Sequence, residues 1–446
     1  MNAVNTGVTA APGRAGRGAR GPVAAPRPAS TPAPASTTLR VVSRGNRLGP
    51  LRLPQLVLIE LALAVLVLAA SVDELWLVPA AVVAIGLGLL ALLRRRQRSI
   101  LDWVSTVLAF RARRRVAAAP LTRPVDPRLA PVAESAPGVV SYAYVDKKRR
   151  TVGMVGDGSF LTAVVRVEAG ADALRPAYGA RALPLDALAD ALDVDGIVLE
   201  SVQVVQHVQA APASYLPEHS AARNSYGPLQ AQAGSAPGLR VTWVALKLDP
   251  ELCREAVKAR GGGLEGAQKC LVRAADHVAS RVTGAGFRAT VLDEEELLNS
   301  LSASAGAHPE AAATPVRPGP QGQLPPRRTQ ERARAWLCDD RWHASYAVGR
   351  WPALGRGAAP LPRVVSQLTA IPTLTTTVSL TMGRTRHHRS VSIHGHLRVT
   401  ALGERELSGA RQLLERAARG AKVSLVRLDR EQLMGVLATL PMGGTR

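Results

Sequence analysis

The sequence is poor in aromatic residues and in cysteine. Aromatic side chains make up 3% of the 446 residues, and cysteine occurs only at Cys253, Cys270 and Cys338. Three widely spaced thiols exclude a disulfide framework and favour a reducing compartment. The absence of a C-x-x-C pair also argues against a zinc ribbon or a thioredoxin-type redox pair.

Motifs of the common enzyme classes are missing too. The sequence contains no G-x-x-x-x-G-K-[ST], no G-x-S-x-G and no H-E-x-x-H, which are the signatures of P-loop ATPases, serine hydrolases and zinc proteases. The nearest feature to a phosphate-binding loop is Gly261-Gly262-Gly263, ahead of a predicted helix. Because it lacks the lysine and a well-placed preceding strand, its ordinary interpretation is a flexible helix-entry loop.

Histidines concentrate in one short segment. His394 and His396 alternate along a predicted strand, so they project to one face and could share a metal ion. Neither a carboxylate nor a cysteine lies close in sequence, and His387-His388 among arginines is typical of a solvated hairpin tip. The sequence therefore predicts no catalytic, cofactor or metal site.

Positive charge is concentrated in the first third of the chain. The formal net charge is +22. Residues 1–150 hold 22 Lys+Arg against 7 Asp+Glu, a net +15, while the other 296 residues hold 34 against 27, a net +7. A nucleic-acid-binding protein usually carries its basic stripe on a folded face. Here the arginines flank two apolar segments, so no nucleic-acid partner is expected.

Residues 53–72 and 75–93 are nearly uniformly apolar. Each is long enough to cross about 30 Å of hydrocarbon as a helix. The two-residue link between them predicts a two-helix transmembrane hairpin, with Trp76 at the interface. Arginines flank both outer ends, so the positive-inside rule predicts a two-pass membrane protein with both termini cytoplasmic. Those after the second segment are Arg94, Arg95 and Arg96.

Glu60 is the one carboxylate inside the first apolar segment. It could face a partner helix and accept a hydrogen bond there. It could equally be protonated, or reach toward the interface.

Residues 94–115 predict a juxtamembrane amphipathic helix. Apolar residues around Trp103 recur at spacings of three and four. The stripe could lie against lipid headgroups or pack on another protein. The arginines that would contact anionic lipids of the inner leaflet are Arg111, Arg113, Arg114 and Arg115.

The remaining chain divides by composition. Residues 1–45 lack acidic residues and nearly all large apolar ones, which predicts a disordered basic tail. Segments rich in Pro and Ala predict linkers, and strand and helix patterns alternate elsewhere. The predicted folded parts are unit 1 at 139–302 and unit 2 at 330–446, and the linkers are 116–138 and 303–329.

The ends of the two units are similar. FRATVLDEEELLNSL and VSLVRLDREQLMGVL each predict a strand, Leu-Asp and a helix. Asp293 with Glu296 and Asp429 with Gln432 have the spacing of a capping box. The units are related by duplication, or the similarity arose by chance. The predicted fold class is an α/β cytosolic region of two related α/β units, anchored by an N-terminal two-helix transmembrane hairpin.

The order of these features resembles EccE, the membrane-anchored core component of actinobacterial type VII (ESX) secretion systems. The resemblance covers about residues 40–446. The strings that carry it are LLRRRQRS, ILDWVSTVLAFRARRR, MVGDGSFLTAVVRVE, VTWVALKLDPELCREAVKARGGG and VSIHGHLRVTALGERE.

The resemblance implies a structural subunit and no enzyme. It implies an inner-membrane complex with the multi-span EccD, the ATPase EccC and EccB, which exports WXG100-type proteins. The family offers no catalytic residue to carry over, and interaction is expected at Glu60, at Trp103 and at the arginines around it. Two alternatives are a membrane-anchored enzyme or regulator with a nucleotide-binding domain, and nucleic-acid tethering by the basic tail.

Overall fold

A computed structural model describes most of the chain beyond residue 37. The described residues are 38–41, 53–72, 76–92, 94–95, 98–117, 125–169, 182–210, 219–221, 224–225, 237–314, 326–352, 360–384 and 390–444. The predicted tail at 1–45 lies outside them except for residues 38–41, which form a strand.

Strands make up the centre of the molecule. Their bounds are β1 Thr38–Val41, β2 Arg94–Arg95, β3 Arg98–Ser99, β4 Val140–Val145, β5 Thr151–Gly156, β6 Leu161–Ala169, β7 Asp193–Val194, β8 Ile197–Val198, β9 Ser201–Ala210, β10 Pro237–Leu248, β11 Phe287–Val291, β12 Thr329–Glu331, β13 Trp336–Cys338, β14 Arg341–Arg350, β15 Thr375–Arg384, β16 Ser390–Ala401 and β17 Ser424–Arg427.

Helices precede and interrupt the strands. Their bounds are α1 Leu53–Val72, α2 Leu77–Leu92, α3 Ile100–Ala117, α4 Ala130–Ser135, α5 Leu185–Asp190, α6 Arg254–Ala259, α7 Gly263–Gly284, α8 Glu294–Ala305, α9 Pro309–Ala313, α10 Leu361–Thr369, α11 Glu404–Gly420 and α12 Gln432–Leu437.

Thirteen of the described strands form one sheet. Its main path runs β12-β13-β14-β16-β15-β9-β10-β6-β5-β4, with β11 on β6, β17 on β14 and β1 on β16. All pairs are antiparallel except β1 with β16. The α/β character was predicted, and the single large sheet was not.

The sheet consists of two halves that have the same order of strands from edge to centre. The halves meet where β9 pairs with β15. The first half runs β4-β5-β6-β10-β9 with β11 added to β6, and the second runs β12-β13-β14-β16-β15 with β17 added to β14. Leu292 N–H donates to Val164 O, and Leu428 N–H donates to Ser345 O at the matching place. This repeat of topology supports the hypothesis of a duplication.

Helices cover both faces of the sheet. Buried residues of α5, α7, α10 and α11 pack on one face, and those of α4, α8 and α12 pack on the other. Three layers result, the arrangement that buries both faces of a sheet.

The halves are interlocked on the second face. Gln203 in β9 donates from Nε2 to Ala438 O, 2.9 Å away, just beyond α12 of the other half. In return, Arg398 in β16 donates to Ser304 O of α8. Residues 37–446 accordingly form one compact unit. The division into unit 1 at 139–302 and unit 2 at 330–446 stays a prediction.

A polar row crosses the junction between the halves. His207, Thr377 and Arg398 are register partners on three adjacent strands, and His207 Nδ1 lies 3.0 Å from Thr377 Oγ1. Burial, reinforced by the positive charge of Arg398, lowers the pKa of His207 to about 3. Burial lowers the pKa of Arg398 to about 10. Both residues are buried, so this row is an internal feature of the sheet.

The predicted transmembrane hairpin is wrong. Helices α1 and α2 exist and pack against each other, and their buried residues include Ala62 and Ala84. Among the described residues, however, no helix has both the length and the apolar character needed to cross a bilayer. The 16 residues of α2 extend about 24 Å, against about 30 Å of hydrocarbon. The two-pass topology inferred from the hairpin has no support either.

Two smaller predictions also differ from the structure. Part of the predicted linker 116–138 forms the buried helix α4, whose Glu134 accepts hydrogen bonds from Thr329 N and Oγ1. The capping box predicted at Asp429 is absent. There, the Gln432 side chain turns into the core, where it accepts from Ser345 N and donates to Leu428 O. The capping box of Asp293 and Glu296 is confirmed.

Candidate interaction surface

A partly buried ion pair holds helix α3 against the α/β body. Arg113 donates from Nε and Nη2 to the two carboxylate oxygens of Glu331, at 3.0 and 3.2 Å. Its Nη2 also donates to Arg430 O at 2.6 Å. The side chains of Arg113 and Glu331 are only 21% and 7% exposed. A charge pair so far removed from water is costly to break.

Glu331 has a second task. Its Oε1 accepts the backbone N–H of Leu433 at 3.1 Å, in the first turn of α12. The carboxylate therefore joins three elements: α3 through Arg113, the edge strand β12 that carries it, and α12. A negative side chain at a helix start also interacts favourably with the helix dipole.

A second contact lies closer to the N-terminus of α3, on the same side of the helix. The guanidinium of Arg430 stands over the Trp103 ring, 5.6 Å from its centroid, a cation–π contact. Thr106 Oγ1 donates to Glu431 Oε1 at 3.4 Å. Trp103, Thr106 and Arg113 lie on one side of the helix, whereas Val104 and Leu108 are 41% and 58% exposed. Trp103, one member of the stripe expected to contact lipid or another protein, thus contacts its own chain, while Val104 and Leu108 of the same stripe are exposed.

A groove of about 800 Å³ opens between α3 and β17. Four arginines and two carboxylates line it beside Trp103, so its formal charge is positive. The arginines are Arg334, Arg419, Arg427 and Arg430, and the carboxylates are Glu415 and Asp429.

The carboxylates of the groove are already engaged. Arg427 grips Glu415 in a two-bond fork at 2.7 and 2.9 Å, a geometry that favours a fixed orientation. Tyr346 donates from its hydroxyl to Glu415 Oε1 at 3.1 Å. Arg411 reaches both the Tyr346 hydroxyl and Asp429. Burial raises the pKa of Tyr346 to about 12, so its hydroxyl stays a donor at neutral pH.

The other residues predicted to interact are not brought together. Arg111, Arg114 and Arg115 are exposed on α3, and the guanidinium of Arg114 lies 5.8 Å from the centroid of the Phe110 ring. Glu60 is exposed on α1, and Trp76 is 61% exposed at the start of the second helix. Arg96 lies outside the described residues, as do the side chains of Arg94 and Arg95.

Four residues of this surface escaped sequence reasoning. They are Glu331, Glu415, Arg427 and Arg430. The contact between Arg113 and Glu331 joins residues 218 positions apart, and no local spacing signals such a pair. The only available signal was the alternation of basic and acidic residues in LVRLDRE, which resembles an ordinary solvated strand end.

The glycine loop does not have the geometry of a phosphate cradle. Gly261, Gly262 and Gly263 all have positive φ, which explains why glycine stands there. The N–H of Gly261 donates to Lys258 O, and that of Gly262 donates to Val257 O. These amides close the end of α6 and are not directed at a ligand, contrary to what the nucleotide-binding alternative requires.

The structure describes two of the four histidines that are clustered in the sequence. His396 is buried and His394 is half-buried on the same strand. His387 and His388 lie outside the described residues. In the part of the chain that the structure describes, no three His, Cys, Asp or Glu side chains are grouped as metal ligands would be.

Residues 236–348 match the model of the EccE family, described as a type VII ESX secretion system translocon. This match confirms the resemblance stated from the sequence. The matched segment, about a quarter of the chain, runs from β10 to most of β14 and includes Glu331, but neither α3 nor β17. No curated protein matches the chain.

Solved structures with a weak similarity include an alkyldihydroxyacetonephosphate synthase with 9% sequence identity and a TM-score of 0.26. The alignment covers 66% of this chain and 46% of the synthase. This chain therefore spans less than half of that enzyme's length. A similarity at this level carries no argument about fold or activity.

Proposed function

We propose that this protein is a non-catalytic structural subunit of a membrane-associated type VII (ESX) secretion complex. The observation that carries the proposal is the EccE family match at residues 236–348. The candidate interaction surface supports it, because the described contacts there hold helix α3 on the α/β body beside a positively charged groove. A helix held beside a charged groove favours a role in docking a partner.

The architecture suits a brace between partners. Interlocked halves resist relative movement, because Gln203 and Arg398 each bond a segment from the other half. We infer that the α/β body holds neighbouring subunits in position while an ATPase drives export of WXG100-type proteins. The expected neighbours are EccB, EccC and EccD, carried over from the family resemblance.

Helix α3 supplies a second contact. Arg111, Arg114 and Arg115 are exposed while Arg113 is engaged with the body. We infer that these three exposed arginines contact anionic lipid headgroups at the inner leaflet. Each basic residue near such a surface contributes about 1 kcal/mol.

Deletion of the gene in the native host tests the proposed function. We expect export of WXG100-type proteins into the culture medium to fall, and expression of the full chain to restore it. Undiminished export by the deletion strain would contradict the proposal.

A further inference from the structure

We propose that the groove beside β17 binds an extended acidic peptide of a partner protein, which adds to the sheet as a further strand. The proposal rests on the proposed function, because it names the kind of partner segment that a subunit of a complex would receive there. Strand addition uses backbone hydrogen bonds for affinity and side-chain contacts for selectivity.

The outer edge of β17 carries no further strand among the residues that the structure describes. Leu428 N–H donates to Ser345 O, and Tyr346 and Val348 face Arg427 and Leu425 across the ladder. Hydrogen-bonded and non-bonded positions alternate along an antiparallel pair. The N–H and C=O groups of Leu425 and Arg427 therefore point away from β14 and into the groove. Among the described strands, β17 pairs with β14 alone.

The groove selects for negative charge. Its two carboxylates are bonded to arginines of the protein, Glu415 to Arg427 and Asp429 to Arg411. Arg334 and Arg419 are exposed at its rim. Arg334 forms no ion pair with any residue that the structure describes. A short edge strand rimmed by arginines discourages pairing with neutral or basic strands, and it leaves an acidic strand favoured.

Strand β11 has the position in the first half that β17 has in the second, so the two edges can be compared. It also pairs with a single strand, β6, among those described. Where the second half has Arg427 and Arg430, the first half has Val291 and Glu294. The backbone arrangement is shared, while the positive charges at these two positions are not. β11 therefore provides a built-in control for the contribution of the arginines.

Fluorescence anisotropy with the purified full chain tests the proposal. The probe is a labelled ten-residue peptide of alternating Glu and Val. Two comparison peptides carry Lys in place of Glu, or N-methyl groups on the backbone amides along one edge. We expect binding of the acidic peptide only. Equal binding of the Lys peptide would overturn the charge argument, and equal binding of the methylated peptide would overturn strand addition.

Two pairs of variants locate the site. Arg334→Glu with Arg419→Glu should weaken binding about tenfold or more, since like charges then face the peptide, while Arg288→Glu on β11 should not. Leu425→Pro removes an outward N–H without removing a ladder bond, and Ala289→Pro is its counterpart on β11. If Leu425→Pro unfolds the protein, the charge variants decide alone. Unchanged binding by the charge-reversed protein would overturn the proposal.

Failure of this proposal is distinguishable from failure of the proposed function. Peptide binding is measured on the isolated chain, and membership of a secretion complex is measured in the host. A chain that restores export but does not bind the acidic peptide contradicts the groove proposal alone. A chain that binds the peptide while its deletion leaves export intact contradicts the proposed function and with it the role assigned to the groove.

Discussion

At the scale of single residues, the most consequential contact is the one between Arg113 and Glu331. It connects α3 to the body through two charge-assisted hydrogen bonds, and Glu331 also accepts the Leu433 N–H. Because the carboxylate side chain is only 7% exposed, loss of the arginine would leave a nearly dry negative charge. The energetic effect of such a loss exceeds that of a surface ion pair.

Arg113→Ala should lower the free energy of unfolding by about 2–3 kcal/mol, because Glu331 would lose its charged partner in a partly buried site. Urea unfolding followed by circular dichroism measures the change. Arg254→Ala is the matched control, since its pair with Glu251 is 76% and 65% exposed and exposed pairs contribute about 0–1 kcal/mol. Equal effects of the two substitutions would contradict the assignment.

His207 predicts that the protein loses stability in acid. Its pKa is lowered to about 3 by burial, below the ordinary value of about 6.5 in the unfolded chain. The unfolded state therefore binds the proton more readily. The stabilising contribution is complete above about pH 6.5 and falls as the pH drops toward about 3. Burial also lowers the pKa of His343.

Between pH 7 and pH 5, protonation of His207 should reduce the free energy of unfolding by about 2 kcal/mol. Urea titrations at both pH values measure this. His207→Gln keeps a polar partner for Thr377 Oγ1 and removes the titrating group, so its pH dependence should be shallower. A variant as acid-sensitive as the natural protein would show that other groups dominate.

At the scale of elements, the C-terminal segment is fastened to the opposite half. Gln203 Nε2 donates to Ser379 Oγ at 2.8 Å and to Ala438 O at 2.9 Å, and its Oε1 accepts Gly443 N–H at 2.8 Å. The buried side-chain amide of Gln203 therefore forms hydrogen bonds with the backbone on both sides of Leu440. Buried polar groups that are fully bonded specify a single arrangement.

Gln203→Leu should destabilise the protein by about 3 kcal/mol, because Ala438 O and Gly443 N–H lose their partners in a buried place. It should also speed amide hydrogen exchange around residues 438–443. Gln206→Leu on the same strand is the control, since its bond to Thr242 is 3.5 Å long and half-buried, and we expect a change under about 1 kcal/mol. Unaltered exchange in Gln203→Leu would refute the fastening.

Several elements could be predicted from sequence. The helix predicted after Gly263 is α7, and the strand predicted at the start of FRATVLDEEELLNSL is β11. Both were predictable because strong periodicity and capping signals are local. The Asp293 capping box was predicted for the same reason. The Asp429 box was not realised, since Gln432 gains two buried bonds by turning inward, a tertiary preference that local spacing does not reveal.

Only the α3 side of the candidate interaction surface could be predicted from the sequence. Trp103 and Arg113 were identified as interaction residues, but with lipid or another protein as their partner. Their observed partners, Arg430 and Glu331, are distant in sequence. Only the long-range strand pairings of the sheet bring them beside α3. The order of strands, which brings β12 and β17 beside α3, depends on those pairings. Composition and periodicity do not encode them.

At the scale of the whole molecule, the halves interlock across the β9–β15 junction. α8 bonds Arg398 of the second half, and the segment after α12 bonds Gln203 of the first. Each half therefore completes the buried polar layer of the other. A half alone would expose that layer and leave polar groups without partners.

The fragments 139–302 and 330–446 should each unfold without a cooperative transition when produced alone. Mixing them should restore a cooperative transition, because the bonds of Gln203 to Ala438 O and to Gly443 N–H would re-form. Thermal unfolding followed by circular dichroism distinguishes the cases. A cooperative transition in the isolated 330–446 fragment would show that the halves are independent domains.

The most direct test of the central claim is purification of the tagged full chain from its native host in mild detergent, followed by native-gel mass and mass spectrometry. A structural subunit of a type VII secretion complex should migrate in a large assembly together with a hexamer-type ATPase and a multi-span subunit. A lone monomer or homodimer in every detergent tested would contradict the account.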